Sequence, residues 1–401
     1  MKLDIKNFRS IRDQSVELAP ITVLYGPNGS GKSSLLYSLL VMKSLALCFE
    51  SRSTSLFDLG FVNLGDFRAV IHDHRIRDKI RFRLLTTEDV YPVTWDLSFG
   101  FPTVEFGLRV ASPDEEQDIF SQRHWTDPPF ELAGTVVANA TFGDLIFEVH
   151  WNGICATAKP EYHEAANQID SILNGPVDLI RSIAIAPLQM AFSRGEYSVA
   201  RVGSSLNSTL FFGEDEVGTL LATRRYLQSP VSKYLEEITN RTLRVFSPPD
   251  NQNFSIDVED RSTGLETELV NDGYGVNRVA WLLALTLHDE TRLMCIEEPE
   301  THLHPTSIRK LVKTFVNIMH NENKRFLFTT HSEAFALAIL SEVARGHLKP
   351  DDVAFYLTSK DGKETKFERQ EINKHGQVEG GLTSFMEGEL EDLAVLYGET
   401  S

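Results

Sequence analysis

Residues Gly26-Pro27-Asn28-Gly29-Ser30-Gly31-Lys32-Ser33-Ser34 follow the pattern Gly-x4-Gly-Lys-Ser. A β-branched apolar run, Ile21-Thr22-Val23-Leu24-Tyr25, precedes them, and an apolar stretch over 35–48 follows. Strand, loop and helix in that order make a phosphate cradle. Glycines let successive backbone N–H groups turn inward on phosphate oxygens, and the helix N-terminus adds partial positive charge. Lys32 supplies a point charge for the β- and γ-phosphates, and Ser33 a hydroxyl for Mg2+. The candidate nucleotide ligands are therefore Asn28, Gly29, Ser30, Gly31, Lys32, Ser33 and Ser34.

Leu293-Met294-Cys295-Ile296-Glu297-Glu298 is an apolar run ending in two carboxylates. A buried strand of this kind holds its acids at the carboxyl edge of a parallel sheet, where such sheets bind ligands. Glu297 reads as the Mg2+ ligand, directly or through water, and Glu298 as the base that orients and deprotonates an attacking water. Alone, such a run is commonly a strand meeting a solvated turn; behind a phosphate loop in the same chain it reads as catalytic. Phe326-Leu327-Phe328-Thr329-Thr330-His331 is a second strand ending at that edge, and His331 reads as a γ-phosphate sensor. Asn271-Asp272-Gly273-Tyr274-Gly275-Val276-Asn277-Arg278 opens an apolar helix, so Gly273 and Gly275 can present N–H groups to an anion. The phosphate loop already does this within the chain, which points the second helix start at the nucleotide of another subunit. His72-Asp73-His74 and His302-Leu303-His304 have metal-ligand spacing, but no further Cys or His clusters near the first, and neither reads as a zinc site.

The elements that must position these groups are legible in outline. Short strands are expected around 3–8, 16–18 and 21–25, and a β-rich segment over 61–158, where Val93, Trp95, Leu97 and Phe99 alternate with polar neighbours. A more helical stretch covers 161–245. Then follow a helix over 276–288, a strand over 292–296, a helix over 306–319, a strand over 325–329 and a helix from 333. The first and last thirds read as one sheet domain with the middle inserted: 1–60 the N-terminal part of the core, 61–160 a β-rich insertion, 161–265 a helical lobe, and 266–401 the C-terminal part of the core with a tail. No long heptad run or solenoid repeat interrupts this plan.

Composition narrows the class. A hydrophobic share of 42% and a charged share of 24% are globular values, which excludes a mainly disordered chain. The 3 cysteines lie far apart and form no disulfide framework, so a reducing, cytoplasmic compartment is expected. The longest apolar stretch, 35–49, is broken by Lys43 and too short to span a bilayer, and no signal peptide is expected. With 39 basic and 57 acidic residues, the net charge of −18 argues against a uniformly basic surface that wraps nucleic acid. Arg75, Arg77, Lys79, Arg81 and Arg83 alternate with Ile76, Asp78, Ile80 and Phe82; they read as the polar face of one strand and as the local basic patch available for DNA contact.

The order of the motifs resembles the ATP-binding-cassette class of P-loop ATPases. Within that class, Asn7-Phe8-Arg9-Ser10, the Gly26 to Ser34 loop, Glu297-Glu298-Pro299-Glu300-Thr301-His302-Leu303-His304-Pro305 and Thr330-His331-Ser332-Glu333 resemble the RecF/OLD-type AAA-family ATPases, soluble relatives of the structural-maintenance-of-chromosomes (SMC) proteins. The tail, Asn373-Lys374-His375-Gly376 to Phe385-Met386-Glu387-Gly388, is similar to the ends of short members. The resemblance implies an α/β fold, a P-loop NTPase ABC-type ATPase core of mixed sheet and flanking helices with an inserted β-rich and helical lobe. It implies ATP and Mg2+, and a homodimer or higher homo-oligomer that sandwiches nucleotide head to tail. Gly273 and Gly275 would then face the partner's γ-phosphate, with 301–304 at the D-loop position. It further implies ATP hydrolysis that drives a DNA-repair or phage-defence complex, with a separate effector protein or DNA as partner and no membrane role.

Two departures stand out. The signature lacks the serine of transporter-type LSGGQ, and no glutamine loop is identifiable beyond Gln189 and the 63–68 turn as candidates. A fused nuclease has little room in the 70 residues (401 − 331) after His331, which hold no Asp-x-Asp pair. The alternative reading is an ATP-gated scaffold or antitoxin-like module for a separate nuclease or toxin effector, with little turnover; the intact Glu298 argues against it. A GTPase is disfavoured because no Asn-Lys-x-Asp base-reading motif occurs.

Overall fold

The computed structural model of the chain describes residues 1–51, 56–87, 90–100, 103–114, 116–126, 135–160, 164–199, 205–247, 253–379 and 381–382. The tail motif at 385–388 and residues 200–204 lie outside the described residues.

The chain opens with β1 (Lys2–Phe8), β2 (Ile11–Glu17) and β3 (Ile21–Tyr25), and β3 runs through the phosphate loop into α1 (Lys32–Ser51). A single turn, α2 (Phe67–Val70), leads to a meander of β4 (Ile80–Thr86), β5 (Val93–Phe99), β6 (Val104–Ala111) and β7 (Asp118–Thr126). The small sheet β8 (Val136–Phe142), β9 (Leu145–Trp151) and β10 (Ala156–Lys159) follows, then α3 (Ala166–Arg181) and β11 (Ile183–Ala186). Next come β12 (Glu196–Ser198), α4 (Glu214–Thr223), α5 (Arg225–Thr239), β13 (Arg241–Phe246), β14 (Asn253–Asp260) and β15 (Glu266–Glu268). The last part comprises α6 (Leu269–Asp272), α7 (Tyr274–Thr286), β16 (Leu293–Glu297), α8 (Pro305–Glu322), β17 (Arg325–Thr330), α9 (Glu333–Ala344) and the hairpin β18 (Val353–Asp361) and β19 (Glu364–Gln370).

The core sheet has the order β11-β16-β17-β3-β18-β19, parallel except for the antiparallel β19. Its strands read as continuous apolar runs because both faces are covered. In β16, Leu293 and Cys295 join the hydrophobic cluster that contains α1, whereas Met294 and Ile296 join the cluster that contains α7, α8 and α9. In β3, Leu24 faces the first cluster and Ile21, Val23 and Tyr25 the second. This alternation fixes register, because a one-residue slip would exchange the two sets.

A second six-stranded sheet, β2-β1-β4-β5-β6-β7, is antiparallel throughout and packs Leu3, Ile5, Phe82 and Trp95 into the cluster that holds residues of α1 and α3. Residues 2–17 thus share a sheet with 80–126, across the boundary read at 60/61. β11, from the stretch read as a helical lobe, joins the core sheet beside β16. Both differences have one cause: a four-residue apolar run or a short hairpin carries no local sign of its hydrogen-bonding partner.

The basic stretch also differs from expectation. The strand begins at Ile80, not at 75, because Asp73 and His74 take left-handed conformations (φ 51° and 55°) and the chain turns before it extends. Across the outer face of the sheet, Arg83 pairs with Asp96 at 2.6 Å, Arg123 with Glu105 at 2.6 Å and Arg109 with Asp118 at 2.7 Å. Arg75 reaches Asp73 at 3.5 Å and Lys79 reaches Glu105 at 3.6 Å. Much of the patch is therefore neutralised in place. Among the described residues, no helix is long and apolar enough to cross a membrane.

Candidate nucleotide site

The phosphate loop leaves the carboxyl end of β3 and turns into α1, next to the ends of β16 and β17. Gly31 has φ +110°, and a Cβ there would run into the Thr365 side chain, so only glycine serves. The Lys32 ammonium donates to the carbonyls of Gly26 at 2.8 Å and Pro27 at 3.0 Å. Burial lowers its pKa to about 8, with the Glu298 carboxylate pulling the other way. Loop carbonyls thus hold the charge that a phosphate would otherwise claim.

Glu297 ends β16 and is buried; Tyr37 Oη donates to Oε1 at 3.3 Å and the Leu188 N–H to Oε2 at 3.4 Å. Glu298 takes the left-handed region (φ 45°), unusual for a glutamate, while its N–H donates to the Thr329 carbonyl at 2.9 Å. The kink turns the chain at the sheet edge, and the Glu298 carboxylate lies 3.6 Å from Nε2 of His331. His331 sits between the end of β17 and Ser332, which caps α9 by accepting from the Phe335 N–H. Burial, then the neighbouring Lys32 charge, lower its pKa from the ordinary value, with Glu298 opposing.

These residues line one cleft of about 550 Å³, together with Asn28, Gly29, Gly31, Ser33 and Ser34. Ser30 is the exception among the loop candidates: it is 2% exposed and faces inward, where its carbonyl accepts from the Thr365 hydroxyl at 2.8 Å. The cleft also takes in Arg9, Ser10, Tyr37, Leu188 and Lys360, which motif spacing does not select. Arg9 had a signal, since it lies in the Asn7-Phe8-Arg9-Ser10 stretch. Tyr37 and Lys360 had none. Burial raises the Tyr37 phenol to about 12, and Glu297 adds to this.

Gly273 and Gly275 are not among the cleft's lining residues. Gly273 is extended and opens to free space, whereas a Cβ at Gly275 would stand 2.6 Å from the His302 carbonyl oxygen. Gly275 therefore serves close packing of the α7 start against the 301–304 turn, whereas Gly273 has open space at its Cα. Next to them, the Tyr274 ring meets His302 edge-on at 4.7 Å.

Arg278, 1% exposed, ties the α7 start to the loop after β11 and to the end of β16. It donates from Nη1 to the carbonyls of Pro187 at 2.9 Å and Leu188 at 2.6 Å, and from Nη2 to the Glu297 carbonyl at 2.5 Å. Asn277 exchanges two 2.7 Å hydrogen bonds with the Phe192 backbone. The α7 start, the loop after β11 and the acidic end of β16 form one unit. Gln189 lies exposed in that loop, beside Leu188; in the 63–68 turn, Asp66 caps α2.

The His-x-His pairs are used structurally. His72 Nδ1 lies 2.8 Å from the Arg9 carbonyl, His74 Nδ1 lies 2.9 Å from the Arg68 carbonyl, and His304 caps α8. Among the described residues, no group of three or more His, Cys, Asp or Glu could hold a metal unaided. One hydroxyl (Ser33) and one carboxylate (Glu297) bordering a phosphate cleft fit Mg2+, which keeps several waters and borrows ligands from phosphates.

A parallel core sheet whose central strand enters a Gly-x4-Gly-Lys-Ser loop, beside one strand ending in Glu-Glu and another ending in His, defines a P-loop ATPase. Comparison with known proteins agrees. A family model described as AAA ATPase domain matches residues 209–336, and one described as AAA domain matches residues 2–101. The chain is 22% identical over 356 residues to an ATP/GTP phosphatase of Helicobacter pylori, covering 85% of this chain and 87% of that protein. It is 20% identical over 343 residues to an OLD nuclease of Thermus scotoductus, covering 84% of this chain and 59% of the relative's length. Solved structures similar to it include the SMC head domain from Thermotoga maritima (TM-score 0.46, 11% identity, 92% of this chain and 98% of that one). Another is an SmcHead bound to the C-winged helix domain of ScpA (TM-score 0.47, 10% identity, 93% and 98%). AAA-type ATPase sequence thus lies in both parts of the chain that build the core sheet, and the reaction is ATP hydrolysis.

Proposed function

We propose that the cleft binds ATP with Mg2+, that two or more copies of the chain sandwich the nucleotide, and that hydrolysis resets this assembly within a DNA-repair or phage-defence complex. In this reading the N–H groups of residues 28–34 and the Lys32 ammonium hold the phosphates. Ser33 and Glu297 hold Mg2+, which when bound neutralises phosphate charge and aligns the leaving oxygens. Glu298 orients the attacking water and accepts its proton, while His331 contacts the γ-phosphate. Gly273, open to solvent, contacts the nucleotide of a second copy. The observation that carries the reading is the 3.6 Å approach of Glu298 to His331 over the cleft that Lys32 also lines.

The partner is more readily a protein than a long DNA surface. A net charge of −18 opposes phosphate approach, and the basic residues of the outer sheet are largely paired with acids. The test combines turnover of ATP and of GTP by wild type and Glu298→Gln with particle mass measured with and without ATP, in the presence and absence of duplex and single-stranded DNA. Loss of turnover in Glu298→Gln with ATP-dependent growth in mass supports the reading. Unchanged turnover in Glu298→Gln would remove Glu298 from the chemistry.

A further inference from the structure

Ser33 and Tyr37 are four residues apart on α1, so they project from the same face of the helix. That face meets the end of β16, where Tyr37 Oη donates to Glu297 Oε1 at 3.3 Å. Ser33, one turn earlier on the same face, lies beside this phenol at the edge of the cleft that both residues line. One hydroxyl therefore binds one of the two oxygen donors assigned above to the cation and stands beside the other on α1. The ring that carries it is held from two sides: the Arg9 guanidinium lies over it at 5.4 Å, and Phe61 meets it edge-on at 5.9 Å. Phe61 is in turn packed on Phe211 at 5.2 Å.

We propose that Tyr37 is a positioning residue for the divalent cation, acting through Ser33 and Glu297. The inference rests on the assignment of those two residues as its ligands. A serine hydroxyl and a glutamate carboxylate both rotate freely, and a cation that needs near-octahedral geometry pays for each rotor it must fix. A phenol that donates to the carboxylate and flanks the serine on the same helix face sets the pair in advance. Such outer partners of metal ligands typically govern affinity by about 10–100-fold. Arg9 acts one step further out: its cation lies over the ring and fixes the phenol's aim, which links the Asn7-Phe8-Arg9-Ser10 turn to the metal side of the cleft.

The test compares Tyr37→Phe, which keeps the ring and its contacts with Arg9 and Phe61, with wild type and Glu297→Gln. Mn2+ affinity is read by electron paramagnetic resonance in the presence of a non-hydrolysable ATP analogue. Analogue affinity without metal is measured separately. Tyr37→Phe is expected to weaken Mn2+ by about 10-fold or more, to leave metal-free analogue binding within twofold, and to recover turnover as Mg2+ is raised. Wild-type Mn2+ affinity in Tyr37→Phe, alongside weakened Mn2+ in Glu297→Gln, overturns the role of Tyr37 alone. Unweakened Mn2+ in Glu297→Gln overturns the cation assignment and the proposal with it.

Discussion

The Thr365 hydroxyl donates a hydrogen bond to the Ser30 carbonyl at 2.8 Å, joining the β18–β19 hairpin to the back of the phosphate loop. Thr365 is fully buried; its N–H donates to the Ser10 carbonyl at 2.7 Å and its Oγ1 lies 2.8 Å from Ser10 Oγ. Replacing Thr365 by Val keeps the volume and removes the hydroxyl. The expected cost is about 1–3 kcal/mol for polar groups left without their partner. A lower Tm and weaker ATP binding by calorimetry should appear together; a change in neither would show that the loop needs no backing.

Glu298→Gln keeps the shape of the side chain and removes its basicity. Turnover is expected to fall by about 10²–10⁴-fold, the usual contribution of a positioned general base. Because Lys32 and the loop N–H groups are untouched, ATP affinity should change by less than the turnover, and ATP-dependent assembly should outlast the wild type's. Single-turnover hydrolysis alongside light scattering reads both effects.

Lys32 gives a pH dependence with a definite sign. Its pKa in the nucleotide-free protein is lowered to about 8, so folding does not favour the charged form, and below pH 8 the ammonium is carried against its burial. Raising the pH from about 8 toward the unfolded value relieves that penalty and stabilises the empty protein. Phosphates need the ammonium, so ATP affinity should fall as pH rises through about 8, and binding at pH 8–9 should take up a proton. Calorimetry in two buffers of different ionisation enthalpy measures the uptake, which should vanish in Lys32→Met.

The two glycines at the start of α7 should separate experimentally. Gly275→Ala places a methyl group 2.6 Å from the His302 carbonyl, and is expected to cost about 1–3 kcal/mol as an overpacked contact. Gly273→Ala meets open space at an extended φ of −159° and should melt like wild type. If Gly273 contacts a second copy's nucleotide, its alanine variant should still lose ATP-dependent association. Equal thermal stability of the two variants would contradict the steric distinction.

What the sequence made legible was local. The phosphate loop, the Glu297-Glu298 end and His331 each announce themselves by neighbours in the chain, and the sheet brings all three to one edge. Lys360 lines the cleft and Thr365 backs its loop only once β18 pairs with β3, and Tyr37 is an ordinary helix residue until α1 meets the end of β16. The apolar Ile183 to Ala186 run was hidden among helical patterns because four residues suit either structure. The alternating run from Arg75 to Lys79 had strand periodicity and no strand, since two left-handed residues upstream set the chain's direction. Gly273 and Gly275 look interchangeable in sequence; only the approach of His302 tells them apart.

The bond between Ser30 and Thr365 spans 335 positions. A ribosome therefore releases the complete Gly-x4-Gly-Lys-Ser motif long before the hairpin that backs it exists, and during that interval the loop lacks its rear wall. Nucleotide capture should therefore wait for the hairpin that carries Thr365. A transcript broken before the codon for Val353 would still encode the phosphate loop, the Glu297-Glu298 end and His331, and a gene survey that scores motifs alone would count it as functional.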